Sequence, residues 1–176
     1  DKEYTGKPVT QNIVIKNGNV VLDDGTDYTV TYSANTKVGT VEVTITGTGS
    51  YIGEIKSSFD ILPAKQQIQK LETRFKGFFI DWAQKGSATG YEIEYSTNAD
   101  FKDSTVKKLT ANKPDTLTIS GLTAGNKYYV RVRSYTNVGE NVYYGAWSDS
   151  KNITTAKYDI TKSAISGIST KTYTGK

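Results

Sequence analysis

The feature that most constrains the fold of this chain is an alternation of apolar and polar side chains with a period of two residues. Residues 28–32 read Tyr-Thr-Val-Thr-Tyr, and residues 41–46 read Val-Glu-Val-Thr-Ile-Thr. In a β-strand this period places the apolar side chains on one face. Sixteen glycines, many threonines and tyrosines and only three prolines also favour short strands joined by turns. The sequence therefore predicts an all-β fold.

Two further elements are predicted in the same part of the chain. The apolar runs 13–15 and 20–22 flank Lys-Asn-Gly-Asn at 16–19, and Asn-Gly between apolar runs is a strong signal for a tight hairpin. After the turn at 47–50, apolar side chains at odd-numbered positions predict one last long strand; they are Tyr51, Ile55, Phe59 and Ile61.

An acidic stretch at 23–27, Asp-Asp-Gly-Thr-Asp, lies between these elements. Carboxylates on a glycine-containing loop suit a hard cation such as Ca²⁺. The stretch lacks the spaced ligands and the distal glutamate of an EF-hand loop. We interpret it as a polar turn in which Gly25 supplies a positive φ, and we expect no metal site here.

Four separated motifs of this region carry a resemblance. Tyr-Thr-Gly-Lys-Pro at 4–8 and the stretches 25–32, 35–39 and 47–53 together resemble the bacterial immunoglobulin-like repeats of large Gram-positive surface and secreted proteins. The resemblance implies an immunoglobulin-like sandwich over residues 1–62. In that family a further strand precedes the Tyr-Thr-Gly-Lys motif, so we expect this unit to lack its first strand.

Residues 63–155 carry a second set of strand signals. Pro63 begins a short linker, because proline cannot extend a central strand. Seven strands are predicted, the number expected of an immunoglobulin-like sandwich, and they begin near Ile68, Phe78, Tyr91, Val106, Leu117, Tyr128 and Ala146. Three same-face triplets are expected to form the core: Phe78, Ile80 and Trp82; Tyr91, Ile93 and Tyr95; Tyr128, Val130 and Val132.

This second unit resembles fibronectin type III domains over its whole length. The resemblance rests on Trp82, on residues 90–95 and 122–133, and on Gly-Ala-Trp-Ser at 145–148. It implies a tyrosine corner at Tyr128, in which the phenol binds backbone at a strand crossover. It implies little about function, because this fold carries many unrelated activities.

The carboxylates of the second unit are interpreted as structural. Glu92 and Glu94 are expected to face Arg131 and Arg133 across neighbouring strands, which helps to set the register of the sheet. Catalysis by paired carboxylates would draw on Asp81, Glu92, Glu94, Asp100 and Asp103. These residues fall on strand faces or turns with no sign of a shared cleft, so no catalytic residue is predicted.

The composition excludes several other classes of function. The chain has no cysteine and no histidine, which removes thiol and imidazole catalysis and Cys/His zinc sites. Its 22 basic and 18 acidic residues are dispersed, so we expect no nucleic-acid partner. No apolar run approaches the roughly 18 residues of a membrane span. No cofactor and no membrane insertion are expected in this segment.

Tyr143 and Tyr144 are the candidate ligand-binding residues, for a glycan or for a host or cell-surface protein. They are placed in a predicted loop over residues 137–145, and loops at the end of a sandwich often carry binding sites. The alternative is that one tyrosine covers the end of the core and the other is ordinary surface. Trp147 is interpreted as a structural part of the last strand.

The C-terminal tail repeats a motif from the start of the chain. Tyr-Thr-Gly-Lys at 4–7 recurs at 173–176, and the stretch 156–176 stands where the linker and first strand of a next repeat would lie. We expect it to exchange between neighbouring copies as an added strand, with packing on its own type III unit as the alternative. The residues assigned to strand complementation are Ala164, Ile165, Ile168 and Tyr173.

These observations favour a non-catalytic structural or adhesive stalk module of a large bacterial protein that is secreted or attached to the cell wall. The alternation of two sandwich types and the short linker carry this expectation. The alternative is a carbohydrate-binding or spacer region attached to a secreted polysaccharide-degrading enzyme. Both interpretations place the chain outside the cell.

Overall fold

The computed structural model describes residues 1–84, 86, 88–167 and 175, without the side chain of Lys162. Within these ranges the regular structure consists of β-strands and one 3-10 turn at Ile160–Lys162, which confirms the all-β fold. No helix in the same ranges is long and apolar enough to cross a membrane. The strands are β1 (Lys2–Glu3), β2 (Lys16–Asn17), β3 (Val20–Val21), β4 (Tyr28–Tyr32), β5 (Gly39–Gly47), β6 (Glu54–Leu62), β7 (Gln67–Arg74), β8 (Gly77–Ala83), β9 (Gly90–Ser96), β10 (Thr105–Leu109), β11 (Thr116–Ile119), β12 (Lys127–Val138), β13 (Asn141–Tyr144) and β14 (Lys151–Thr154).

A four-stranded sheet in the order β1-β6-β5-β4 forms the first unit. The pairs β4–β5 and β5–β6 are antiparallel, and β1 runs parallel to β6. The alternation in the sequence sets which face is covered, since Val41, Val43 and Ile45 on β5 are all buried. The predicted strands over 28–32 and 41–46 are therefore confirmed.

The last strand of this unit is shorter than the sequence predicts. Tyr51 lies ahead of β6, because its N–H donates to the carbonyl of Thr48 at 2.9 Å and closes a turn. Ile55 is on β6 but is 56% exposed, whereas Ile61 near the other end is fully buried. Only the end of the strand next to the second unit is covered on its apolar face.

The predicted hairpin forms at β2 and β3, which pair antiparallel around a turn at Gly18–Asn19. Its strands are two residues long each, so it is a small ribbon. The acidic stretch that follows folds as the expected turn, in which the carboxylate of Asp27 accepts from the N–H of Asp23 at 2.9 Å.

Ahead of the hairpin, residues 9–15 cross the apolar face of the sheet as an extended segment outside any strand. Their odd-numbered side chains are half-buried and their even-numbered ones exposed. With Leu22 and the buried residues of β4 and β5 they complete a small core, which consists of Leu22, Tyr28, Val43 and Ile45 with Ile13, Ile15, Val30, Tyr32, Tyr51 and Phe59 against them.

The second unit is a β-sandwich. Three strands in the order β11-β8-β7 face a larger sheet in the order β10-β9-β12-β13, and β14 also pairs with β12. All three predicted triplets lie in the core between the two sheets: Phe78, Ile80 and Trp82; Tyr91, Ile93 and Tyr95; Tyr128, Val130 and Val132. The sequence could predict which of these side chains face the core, because side chains alternate strictly between the two faces of a strand.

The end of this unit differs from the expectation. No strand begins near Ala146; instead β13 and β14 both pair with β12 and leave residues 145–150 between them. The predicted loop over 137–145 is also wrong, since β12 continues to Val138 and forms a tight hairpin with β13. Gly139, with φ of 60°, supplies the turn.

Candidate functional site

Tyr143 and Tyr144 lie on β13, at the side of the second unit that meets the first. The hydroxyl of Tyr143 is 2.9 Å from the Oγ1 of Thr40 on β5. Thr40 donates its own proton to the carboxylate of Asp60 at 2.6 Å. A hydroxyl donates one hydrogen, so Tyr143 is the donor to Thr40. The three side chains form a polar relay from the second unit into the first.

A cleft of about 380 Å³ lies at this contact. Thr40, Asp60 and Leu62 line it from the first unit, and residues 141–144 line it from the second. Both tyrosines are half-buried. Whether they bind a ligand stays a prediction; their position is at the junction of the units and not on a free loop.

Tyr144 belongs to a stack of rings and cations on the outer face of the larger sheet. The guanidinium of Arg133 lies 4.2 Å from the ring centroid of Tyr144 and 4.3 Å from that of Trp147. Arg131 lies 4.7 Å from Trp147 and 4.0 Å from Phe101 on its other side. We call these five side chains the aromatic ladder. Trp147 is thus structural as expected, but it lies between β13 and β14 and not within a strand.

The two arginines of the aromatic ladder are also held by carboxylates. Arg131 Nε donates to Glu94 at 2.6 Å, and the guanidinium of Arg133 contacts Glu92 at 2.7 Å. These residues face each other in the β9–β12 register, which confirms the predicted cross-strand pairs. Two rings and a carboxylate around each guanidinium hold it in a well-defined position.

The linker between the units is packed against the second unit. Pro63 and Ala64 are buried, and the carbonyl of Ala64 accepts hydrogen bonds from Ser134 Oγ at 3.1 Å and Gln66 Nε2 at 2.6 Å. Gln66 also donates to Ser134 Oγ at 3.0 Å. A Cβ on Gly145 would lie 2.6 Å from the carbonyl oxygen of Pro63, so only glycine permits this approach.

An ion pair spans the outer side of the same junction. Lys65 Nζ lies 2.7 Å from the carboxylate of Asp149, and the N–H of Lys65 donates to Glu3 of β1 at 3.2 Å. The hydrogen bond from Lys65 and its positive charge lower the pKa of Asp149 below the ordinary value. Because Asp149 is almost fully exposed, this ion pair holds two surface side chains in place and adds little to the free energy of unfolding.

Sequence reasoning missed the packed linker and the aromatic ladder. A signal for the linker exists, because Ser134 continues the core parity of Tyr128, Val130 and Val132 and is a small polar residue where an apolar one is expected. It is fully buried. The ladder also had a signal, two arginines spaced by two residues close to a tryptophan in sequence.

The tail begins at the opposite end of the second unit. The ring of Tyr158 packs edge-on against Phe75, with centroids 5.7 Å apart, and Phe75 follows the last residue of β7. Ala164 and Ile165 are exposed and outside any strand, Ile165 by 79%. Ile168 and Tyr173 lie outside the described residues.

Metal-binding chemistry has little support in the part of the chain that the structure describes. It contains no group of three or more acidic, histidine or cysteine side chains arranged to hold an ion. The backbone of the acidic turn at 23–27 is held by its own hydrogen bonds, such as that from the N–H of Gly25 to the carbonyl of Tyr28 at 2.7 Å.

The closing contact of the sandwich is the predicted tyrosine corner: Tyr128 Oη accepts from the N–H of Thr123 at 3.3 Å. Residues 72–151 match the sequence profile described as Fibronectin type III domain. Residues 72–151 form a fibronectin type III domain. Domains of this type are generally non-catalytic modules. The match does not extend to residues 1–62, for which the bacterial immunoglobulin-like resemblance stays a prediction.

No curated protein sequence matches the chain. Similar solved structures include one titled "Myokine structure", with 12% identity, a TM-score of 0.40, and coverage of 52% of this chain and 93% of that one. A β-1,2-glucanase from Parabacteroides distasonis has 18% identity, a TM-score of 0.43, and coverage of 66% and 18%. The chicken CNTN1 FN1-FN3 domains have 16% identity, a TM-score of 0.46, and coverage of 68% and 44%. The chain thus spans less than half of the last two.

Proposed function

We propose that this chain is a non-catalytic structural module in which an immunoglobulin-like unit and a fibronectin type III domain are held as one stiff pair within a longer stalk. The observation that carries the proposal is the burial of the linker. Its backbone is bound by Ser134 and Gln66, and Pro63 lies against the backbone of Gly145.

Stiffness follows from the cost of bending at this junction. β6 ends at Leu62 and β7 begins at Gln67, so four residues join the units. Rotation of the first unit against the second would break the contact between Tyr143 and Thr40, at about 1 kcal/mol; rotation within the linker would also break the hydrogen bond from Ser134 to Ala64. It would also expose the buried side of the linker. A spacer acts through its length and its stiffness, and this junction supplies the stiffness.

The bacterial, extracellular and adhesive parts of the proposal rest on the resemblance of residues 1–62 to Gram-positive surface repeats. A location outside the cell, in a secreted or cell-wall-attached protein, fits a chain without cysteine whose two units each have a core. The absence of both cysteine and histidine from the sequence removes thiol and imidazole catalysis, which is compatible with a non-catalytic role.

Residual dipolar couplings test the stiffness directly. In the native chain we expect one alignment tensor to fit the amides of both units. Gly145→Val should separate the tensors, because its side chain would enter the space occupied by the Pro63 carbonyl. Ala146→Val is the matched control, since Ala146 is exposed. Two independent tensors in the native chain would refute the proposal.

The cleft beside Tyr143 favours a second candidate, contact with a glycan as part of a secreted polysaccharide-degrading enzyme. Its polar lining and two tyrosine rings suit a sugar. Retention on polysaccharide affinity gels tests this idea. A glycan role requires that the native chain is retained and that the double variant Tyr143→Ala/Tyr144→Ala is not. The control Tyr129→Ala should still be retained, because Tyr129 lies on β12 and does not line the cleft. If no gel retains the native chain, the glycan role is excluded and only the spacer role remains.

A further inference from the structure

Residues 9–15, which we call the edge segment, form backbone hydrogen bonds with the rest of the described structure only through their odd-numbered members. On the side toward β4, the N–H of Gln11 donates to Tyr32 Oη at 3.3 Å, and its carbonyl accepts from the same hydroxyl at 3.2 Å. The carbonyl of Ile13 accepts from Tyr28 Oη at 3.5 Å. Gln11 and Ile13 are therefore anchored to β4 by tyrosine hydroxyls, while Val9 is held by Asn35 and Ile15 by Leu22.

The even-numbered residues of the edge segment point their backbone groups the other way. In an extended chain, successive residues direct N–H and C=O to opposite sides. Among the residues that the structure describes, none forms a hydrogen bond with the backbone of Thr10, Asn12 or Val14. Unpaired groups in a row of this kind form a template for another strand.

An apolar groove lies beside the edge segment. Two adjoining cavities of about 290 and 230 Å³ share Ile45 as part of their floor. The first lies between Ile13 and residues 57–59 of β6, and the second continues from Ile15 to Ile55. The groove thus extends over β5 and β6 beside the edge segment, and its second cavity also reaches Tyr28 of β4. Its floor is apolar and its wall is the edge segment.

We propose that this groove binds residues 163–167 of a second copy of the chain as an added β-strand. Backbone pairing with Thr10, Asn12 and Val14 would supply affinity, and Ile165 would enter the groove. Five residues of strand match the length of the edge between residues 10 and 14. The assignment is independent of the stiffness of the junction.

Two observations select this segment as the occupant. Ile165 is 79% exposed and lies outside any strand, so its burial in an apolar groove is favourable. The segment also lies just ahead of the second Tyr-Thr-Gly-Lys at 173–176, and the groove belongs to the unit that begins with the first copy at 4–7. The segment is placed in sequence as an upstream strand of such a unit.

Distance excludes the groove of the same molecule while the tail stays anchored. Tyr158 packs on Phe75, beyond the end of β7 that is far from the linker. The eight residues of β7 span about 26 Å at about 3.3 Å per residue. Residue 163 is five residues past Tyr158 and reaches at most about 18 Å. A second copy must therefore supply the strand, which makes the association head-to-tail.

Engineered cysteines test the contact, since the chain has none of its own. The two single variants Asn12→Cys and Ser166→Cys are mixed and mildly oxidised, and we expect a disulfide-linked heterodimer. Asn12→Cys mixed with Thr118→Cys, at an exposed position of the type III domain, is the control. Heterodimer at or below the control level overturns the proposal. A double variant that forms only an intramolecular disulfide when dilute overturns the choice of a second copy.

Peptide binding tests the groove itself. A fluorescent peptide of residues 158–172 is titrated with the full chain, and saturable binding is expected. Ile55→Glu should weaken it at least about tenfold, because Ile55 lines the groove and is itself 56% exposed, so the fold tolerates the change. Val20→Glu, on the hairpin and 63% exposed, is the matched control. No saturable binding, or equal weakening by both variants, overturns the proposal while leaving the stiff junction unaffected.

Discussion

The hydroxyl of Tyr128 is a single polar group that closes the type III domain at a strand crossover. It accepts from the N–H of Thr123, while its ring packs edge-on against Tyr95 with centroids 6.4 Å apart. The ring and the hydroxyl thus do separate tasks. The ring fills the end of the core, and the hydroxyl satisfies an amide of the loop that enters β12.

We expect Tyr128→Phe to lower the free energy of unfolding by about 1 kcal/mol, since the amide of Thr123 loses its partner while the ring packing stays. Equilibrium unfolding in urea measures the change. Tyr129→Phe, at the next residue of β12, removes a hydroxyl on the other face and should change stability by less than about 0.5 kcal/mol. Equal losses in the two variants would contradict the assigned role.

We expect Tyr91 to make the type III domain sensitive to alkaline pH. It is fully buried, and burial raises the pKa of its phenol above the ordinary value of 10.0, with the negative charge of Asp115 acting in the same direction. The unfolded chain ionises this phenol first. The stability that it contributes is therefore complete below the unfolded pKa and is lost as the pH rises toward the folded one.

The alkaline effect can be isolated with Tyr91→Phe. We expect the urea midpoint of the native chain to fall more steeply above pH 10 than that of the variant, because the variant has no phenol to ionise at this position. Tyr129→Phe should keep the native slope. A slope that is the same in Tyr91→Phe and the native chain would rule out Tyr91 as the source.

At the scale of secondary-structure elements, the aromatic ladder ties β9, β12 and the segment between β13 and β14 together. Trp147 sits against both Arg131 and Arg133, which are themselves paired with glutamates of β9. The ring thus holds an irregular segment onto a regular sheet. That segment then continues into β14, which pairs with the start of β12.

Trp147→Ala should lower the free energy of unfolding by about 2 kcal/mol, from the loss of two cation–π contacts and of the ring's buried area. Trp147→Phe should restore about half of this, because a smaller ring still covers part of one guanidinium. Fluorescence of the core residue Trp82 reports unfolding in both variants. A change in the free energy of unfolding below about 0.5 kcal/mol in the alanine variant would show that the aromatic ladder contributes no more than ordinary surface residues do.

At the scale of the whole molecule, the two units share a buried linker. Ser134 is fully buried and joins the linker to β12 through its hydrogen bonds with Ala64 and Gln66. The type III domain thus supplies part of the environment of the chain that leaves the first unit. We expect these contacts to couple the stability of the two units.

Ser134→Ala should weaken this coupling by about 1–2 kcal/mol, since buried hydrogen bonds at the linker are lost. In calorimetry we expect the native chain to unfold with strongly overlapping transitions and the variant to show the first unit melting earlier. Ser120→Ala, at an exposed position, should leave the profile unchanged. Identical profiles for the native chain and Ser134→Ala would show that the Ser134 hydroxyl does not stabilise the junction.

Much of the fold was readable from the sequence because strand parity is a local property. The core triplets, the Glu–Arg register and the tyrosine corner all follow from alternation along a strand or from a short motif. Strand ends were less readable. The loop predicted over 137–145 became the β12–β13 hairpin, because pairing with a neighbouring strand extended both elements past the point where the apolar pattern fades.

The amino-acid order of this chain specifies its fold class and the inward-facing residues of most strands, since each depends on neighbours within a few positions. The roles of Tyr143, Ser134 and the edge segment depend on contacts between positions far apart in sequence. Tyr143 meets Thr40, Ser134 meets Ala64, and Gln11 meets Tyr32 only after the sheets have packed. Such long-range contacts arise from the arrangement of whole elements, which no local pattern encodes.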